Sequence, residues 1–107
     1  MKNLDFVELK KRSQSIRATY HKLEKEYHQT EWTVEEDALA FLTDAGLVGR
    51  NVMSHQERWP KTNSQEELEH KLGECIWWLT ILADRAGMDI EEATGKFLDK
   101  TEKLFSK

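Results

Sequence analysis

The run from Cys75 to Ala83 constrains this chain more than any other part of it, because it is apolar on nearly every side of whatever it folds into. Broken only by Thr80, it is about half as long as the roughly 20 residues a membrane-crossing helix needs. It reads as a core helix. Trp77 and Trp78 are neighbours, so they leave such a helix in different directions and do not both enter one small core. A helix that is hydrophobic all round is normally buried all round. Either a second copy of the chain or the chain's own N-terminal helix must cover the far side. A homodimer or a dimer of dimers is the expectation.

The remaining elements follow from their punctuation. Phe6, Leu9, Ser13, Ile16, Tyr20, Leu23 and Tyr27 recur at alternating three- and four-residue intervals, which predicts a first helix from about Asp5 to His28. Thr33-Val34-Glu35-Glu36 has the capping-box form and opens a second helix that ends near Ser54. Its apolar side would be Ala38, Phe41, Leu42, Ala45, Val48 and Val52. Gly46 and Gly49 fall inside it at a cost of about 1 kcal/mol each relative to alanine, so close packing or a ligand is expected beside them. His55 to Asn63, with the only proline at Pro60, is the longest loop. Ser64-Gln65-Glu66-Glu67 repeats the capping-box form at the start of a third helix, which Gly87 would end in the left-handed conformation. Asp89 caps a fourth, with Ile90, Ala93, Phe97, Thr101 and Leu104 on its buried side. No strand is expected. The fold class is all-α, an antiparallel four-helix bundle completed by dimerisation, with residues 1–107 as one domain.

Charge and cysteine content narrow the function. Sixteen basic and 20 acidic residues are well mixed and leave a formal charge of -4, which is no footprint for nucleic acid. No membrane partner is expected either. Cys75, the single cysteine, lies in the apolar run and fits a reduced compartment. Met1 to Asp5 shows no leader of the secretory type, so the cytoplasm is the expected location. His21, His28, His55 and His70 have no zinc-site spacing, and Gly46-Leu47-Val48-Gly49 lacks the lysine of a phosphate loop.

Three stretches, Glu31-Trp32-Thr33, Phe41-Leu42-Thr43-Asp44-Ala45-Gly46-Leu47 and His70-Lys71-Leu72-Gly73-Glu74-Cys75-Ile76-Trp77, together with the tail Leu82 to Ala93, resemble the MazG-like all-alpha nucleoside triphosphate pyrophosphohydrolases. The resemblance implies cleavage of a nucleoside triphosphate to a monophosphate and pyrophosphate, with Mg2+ as cofactor. In that family a Glu-x-x-Glu pair on the second helix and a Glu-x-x-Asp pair on the third hold the metal. Residues three apart share a helix face, so two facing helices can converge four carboxylates on one hard cation. Placed on this chain, those positions are Asp44 and Leu47, then Lys71 and Glu74.

Only Asp44 and Glu74 remain as candidate metal ligands, because Leu47 binds nothing and Lys71 brings a positive charge to the place of the ion. Thr43 stands where many members carry a further Glu. The pattern suggests that the Lys71 ammonium replaces magnesium electrostatically between Asp44 and Glu74, leaving hydrolysis weak or absent. A plain solvated charged face is the alternative. Replacement ligands, were the enzyme active, would be Glu36, Asp37, Glu67 or His70.

Candidate nucleotide contacts are Trp32, Lys71, Arg50 and Asn51. Trp32 corresponds to a tryptophan that stacks on the base in some family members, or else it is an apolar staple on the second helix. Arg50 and Asn51 lie one to two turns beyond Asp44 and would reach phosphate or sugar, or simply face solvent. Two functional classes stay open: a pyrophosphohydrolase with an eroded metal site, and a non-catalytic dimeric helical module that binds a nucleotide or a protein.

Overall fold

The computed structural model describes residues 3–106, which form four helices joined by short loops: α1 (Phe6–His28), α2 (Val34–His55), α3 (Ser64–Arg85) and α4 (Ile90–Phe105). No strand occurs among the described residues. Met1, Lys2 and Lys107 lie outside them, so part of the N-terminal stretch read above for a leader is not described. No described helix is long and apolar enough to cross a membrane.

Local chemistry explains most of the helix ends. The Asp5 carboxylate accepts from the Glu8 amide at 2.8 Å and starts α1, and Gln29 ends it in the left-handed region. At α2 the capping box is complete: the Glu36 amide donates to the Thr33 hydroxyl at 3.1 Å and the Thr33 amide to the Glu36 carboxylate at 2.8 Å. Asp89 accepts from the Glu91 amide and starts α4. After α3, the Gly87 amide bonds to the Asp84 carbonyl and the Met88 amide to the Ala83 carbonyl, with Gly87 at φ 74. Glycine suits that left-handed position because it has no Cβ to clash.

The start of α3 corrects the sequence reading. Its cap is Asn63, at φ 59 and without a side-chain hydrogen bond, and Ser64 is already helical. The expected reciprocal partner is engaged elsewhere. Glu67 instead accepts from Asn51 Nδ2 and from Lys61 Nζ, each at 2.7 Å, fastening the long loop and α2 to α3.

α3 is the hub of the bundle, with α2, α1 and α4 each packed against it. α2 and α3 run antiparallel, as shown by Asp37 meeting Arg85, Asp44 meeting Trp78, and Asn51 meeting Glu67. The seam between them is polar. The buried residues of α2 are Asp37, Asp44, Asn51 and Ser54, and not the apolar set expected; Leu42, for example, is 65% exposed. Three of them recur at seven-residue intervals, which keeps them on one stripe. Lys71, Trp78 and Arg85 recur at the same interval on α3 and face them.

α1 behaves similarly. Ser13 and Arg17 are its buried residues, while Ile16, Tyr20, Leu23 and Tyr27 of the predicted stripe remain exposed. It is held across α3 by the Trp77 indole donating to the Ser13 carbonyl and by Gln14 donating to Asp84. Lys10 pairs with Asp89 at 2.9 Å and ties α1 to the start of α4.

The apolar side of α4 finds no cover within the chain: none of its residues is buried, and Phe97 and Leu104 are 65% and 74% exposed. Among the described residues, only Trp78 and Ile81 are buried hydrophobics. The Cα radius of gyration is 16.5 Å, against about 13 Å for a compact chain of this length. The glycines of α2 are also uncrowded. A methyl group at Gly46 or Gly49 would meet nothing within 4 Å, so close packing inside this chain does not account for them.

The two serine/threonine starts therefore separate in a stability measurement. Thr33→Ala is expected to cost about 1 kcal/mol in urea denaturation, the usual worth of a cap. Ser64→Ala, whose hydroxyl caps nothing, is expected to stay within about 0.5 kcal/mol of the parent.

Candidate functional site

Where the antiparallel pair brings its middle turns together, Lys71 of α3 reaches between two carboxylates. Its Nζ donates to Asp44 Oδ1 at 3.0 Å and to Glu74 Oε1 at 2.9 Å. The second oxygen of Asp44 accepts from the Trp78 indole at 2.8 Å. Both Asp44 oxygens are thus occupied. The three-residue step from Lys71 to Glu74 places both on one face of α3, and Asp44 approaches from the facing stripe of α2. All three side chains are largely shielded from water. The hydrogen bonds to Glu74 and then Asp44 outweigh desolvation and push the Lys71 ammonium up to about 12.

One and two turns nearer the start of α2 lies a second cluster that sequence reasoning missed. Asp37 is fully buried and accepts from Arg17 of α1 at 2.9 Å and from Arg85 of α3 at 2.8 Å. Arg17 also pairs with Glu24 at 2.9 Å, and Arg85 donates to the Trp32 carbonyl. Burial would raise the Glu24 carboxyl, yet hydrogen bonds from Arg17, the Trp32 amide and His21 hold it below the usual glutamate value. Arg17 was hidden by its place among the charged residues of α1. The signal that could have found it is the polar stripe Lys10, Ser13, Arg17, His21 and Glu24, which runs at helical spacing beside the apolar one.

Between α1, the α1–α2 junction and α3 opens a cavity of about 370 Å³. Its wall contains Tyr20 and Tyr27 of α1, Trp32 of the junction, and Trp77, Trp78 and Glu74 of α3. Two of the sequence candidates, Trp32 and Glu74, therefore share one pocket. Trp77 meets Tyr20 edge-on at 5.8 Å and Trp78 edge-on at 4.6 Å between ring centroids. Edge-to-face contact is the favoured arrangement of such quadrupoles.

Other candidates sit apart from this pocket and are engaged in structure. Arg50 lies over the Trp59 ring at 3.6 Å and donates to the Trp59 carbonyl, which anchors the long loop. Asn51 is fully buried, donating to the Leu47 carbonyl and Glu67, with its Oδ1 unpartnered.

The donor set around Lys71 does not fit magnesium. The ammonium occupies the point at which the two carboxylates converge, and a cation about 4 Å away would be repelled by about 4 kcal/mol per unit charge at an effective dielectric of about 20. Thr43 turns its hydroxyl back to the Leu39 carbonyl. Glu36 belongs to the capping box, Asp37 to its two arginines and Glu67 to Lys61 and Asn51. His70 is largely exposed, 3.7 Å from Glu74. Among the described residues, no three His, Cys, Asp or Glu side chains converge as metal ligands would. No family model, curated protein or solved structure matches the chain.

Replacing Asp37 by its neutral isostere tests the buried cluster. Asp37→Asn leaves Arg17 and Arg85 short of a counter-charge, and stability is expected to fall by about 3 kcal/mol or more in urea denaturation.

Lys71 is read through its amine. Its raised value means that the pair's contribution is complete below about 10.5 and is lost as pH rises through about 12. Limited acylation at pH 9, followed by peptide mass spectrometry, should label Lys71 about thirtyfold more slowly than the lysine of an added unstructured reference peptide, the ratio of free-amine fractions at about 12 and about 10.5. Equal rates would show that the ammonium is not held.

Proposed function

We propose that the chain is a MazG-like helical module in which the Lys71 ammonium stands in for magnesium, and that it works as a non-catalytic, dimeric binding protein. The observation that carries this reading is the placement of Lys71 Nζ within 3.0 Å of both Asp44 and Glu74. A lysine offsets one of the two carboxylate charges and hydrogen-bonds both groups, but as a compact charge it gathers no coordinated water and generates no hydroxide. Pyrophosphohydrolysis then lacks both its nucleophile and the charge that would stabilise the departing pyrophosphate. The lone, half-buried thiol of Cys75 suits a cytoplasmic location.

Dimerisation is the second half of the proposal. Leu42, Leu72, Ile76 and Leu79 on α2 and α3, with Phe97 and Leu104 on α4, are all exposed in the single chain. One isolated apolar residue at a surface needs no explanation, but a chain whose described residues bury two hydrophobic side chains and expose these has its missing core elsewhere. A second copy supplies it at no cost in new sequence.

Pyrophosphate release from the common ribo- and deoxyribonucleoside triphosphates, with magnesium or manganese present, is expected to stay at the buffer rate. Leu47→Glu combined with Lys71→Glu restores four carboxylates and is expected to bring micromolar magnesium binding in calorimetry. Metal-dependent turnover by the unaltered chain would overturn the non-catalytic reading.

Sedimentation equilibrium addresses assembly separately. The chain is expected at twice its 12.6 kDa mass or a multiple of it. A monomer at high micromolar concentration would remove the dimer.

A further inference from the structure

The cavity beside Glu74 is rich in aromatic rings and poor in free positive charge. Tyr20, Tyr27, Trp32 and Trp77 reach it from three separate parts of the chain, and Glu24 and Glu74 add carboxylates to the wall. At about 370 Å³ it lies at the small end of the range for ligand pockets. The one arginine that lines it and the nearest cations of the seam are already held, and the imidazole of His28 completes the wall. Arg17 is bound by Glu24 and Asp37, Lys71 by Asp44 and Glu74, and Arg85 by Asp37. With the histidines neutral, those four carboxylates face three cations, so the cluster keeps one negative charge.

Among the lining residues a phosphate would find no unpaired lysine or arginine, and would meet the carboxylates of Glu24 and Glu74. A cation finds the reverse. The faces of Trp and Tyr carry the negative end of the ring quadrupole and attract ammonium groups within about 6 Å, more strongly where water is excluded. The floor of the pocket already shows the arrangement, since the Arg17 guanidinium carbon lies 5.9 Å from the centroid of the Trp78 ring.

We propose that this cavity is an aromatic cage for a small organic cation, an amine or quaternary ammonium group seated among Tyr20, Tyr27, Trp32 and Trp77 and balanced by Glu24 and Glu74. The inference goes beyond the non-catalytic reading and stands without it, because none of the cage aromatics is a candidate metal ligand.

The test uses the full chain, with choline as probe, read by isothermal titration calorimetry and by tryptophan fluorescence. Choline is expected to bind saturably, and its uncharged carbon isostere 3,3-dimethylbutanol at least tenfold more weakly. Tyr27→Ala and Trp32→Leu remove exposed side chains that anchor no helix, and each is expected to weaken choline at least fivefold while circular dichroism and Tm stay unchanged. Equal binding of choline and its isostere would show a merely apolar hole and overturn the proposal. So would the absence of saturable choline binding, or ATP displacing choline, which would mark the pocket as a nucleotide site. Turnover of triphosphates in the separate pyrophosphate assay would sink the non-catalytic reading and leave the cage standing.

Discussion

Two aspartates on the inner stripe of α2 set the terms for the rest of the molecule. Asp37 is removed from water and Asp44 nearly so, and a carboxylate in that position costs several kcal/mol unless it is paired and hydrogen-bonded. Asp37 draws an arginine from each neighbouring helix, and that requirement brings α1 across to α2 through Arg17 and fixes the end of α3 through Arg85. Asp44 takes the Lys71 ammonium on one oxygen and the Trp78 indole on the other. The register of α2 on α3 follows, since a slip of one turn would break all of these contacts together. Apolar packing alone would not specify it, because nonpolar side chains tolerate sliding far better than paired charges do.

Much of this was legible from spacing and caps. The helix starts at Asp5, Thr33 and Asp89 and the stop at Gly87 were readable because each depends on a few adjacent residues. The convergence of Asp44, Lys71 and Glu74 was also readable, through the resemblance that aligned two helices in opposite directions. What failed was the assignment of faces. A hydrophobic stripe signals burial only when the buried side is apolar, and here α1 and α2 turn polar stripes toward their neighbours within the chain. Arg17 therefore passed as a surface charge, and Asp37 was read only as a replacement metal ligand, not as the buried partner of two arginines. Ser64 failed for a different reason: its capping partner Glu67 is drawn away by Asn51 and Lys61, groups distant in sequence.

The polar seam also explains the shape. Helices joined by ion pairs along one stripe leave their apolar residues on the flanks, where Leu42, Ile76 and Leu79 remain open to solvent. Buried ion pairs give orientation more than net stability, since their desolvation offsets much of the Coulombic gain. A chain of this kind has well-specified contacts and a small hydrophobic contribution. The deficit shows in the apolar residues left open to solvent, so the residues that orient the helices are not the ones that would supply a hydrophobic core.

Seen this way, the lysine and the aromatic wall have a common physical origin. A divalent ion between Asp44 and Glu74 would balance their two negative charges and could take a phosphate oxygen as a further ligand. One ammonium between two carboxylates leaves one negative charge. Glu74 belongs both to the ion pair and to the cavity wall, so the charge of the residue at position 71 helps set the charge the pocket presents. The charge carried at position 71 therefore bears on the kind of ligand the neighbouring rings can accept, without moving a helix.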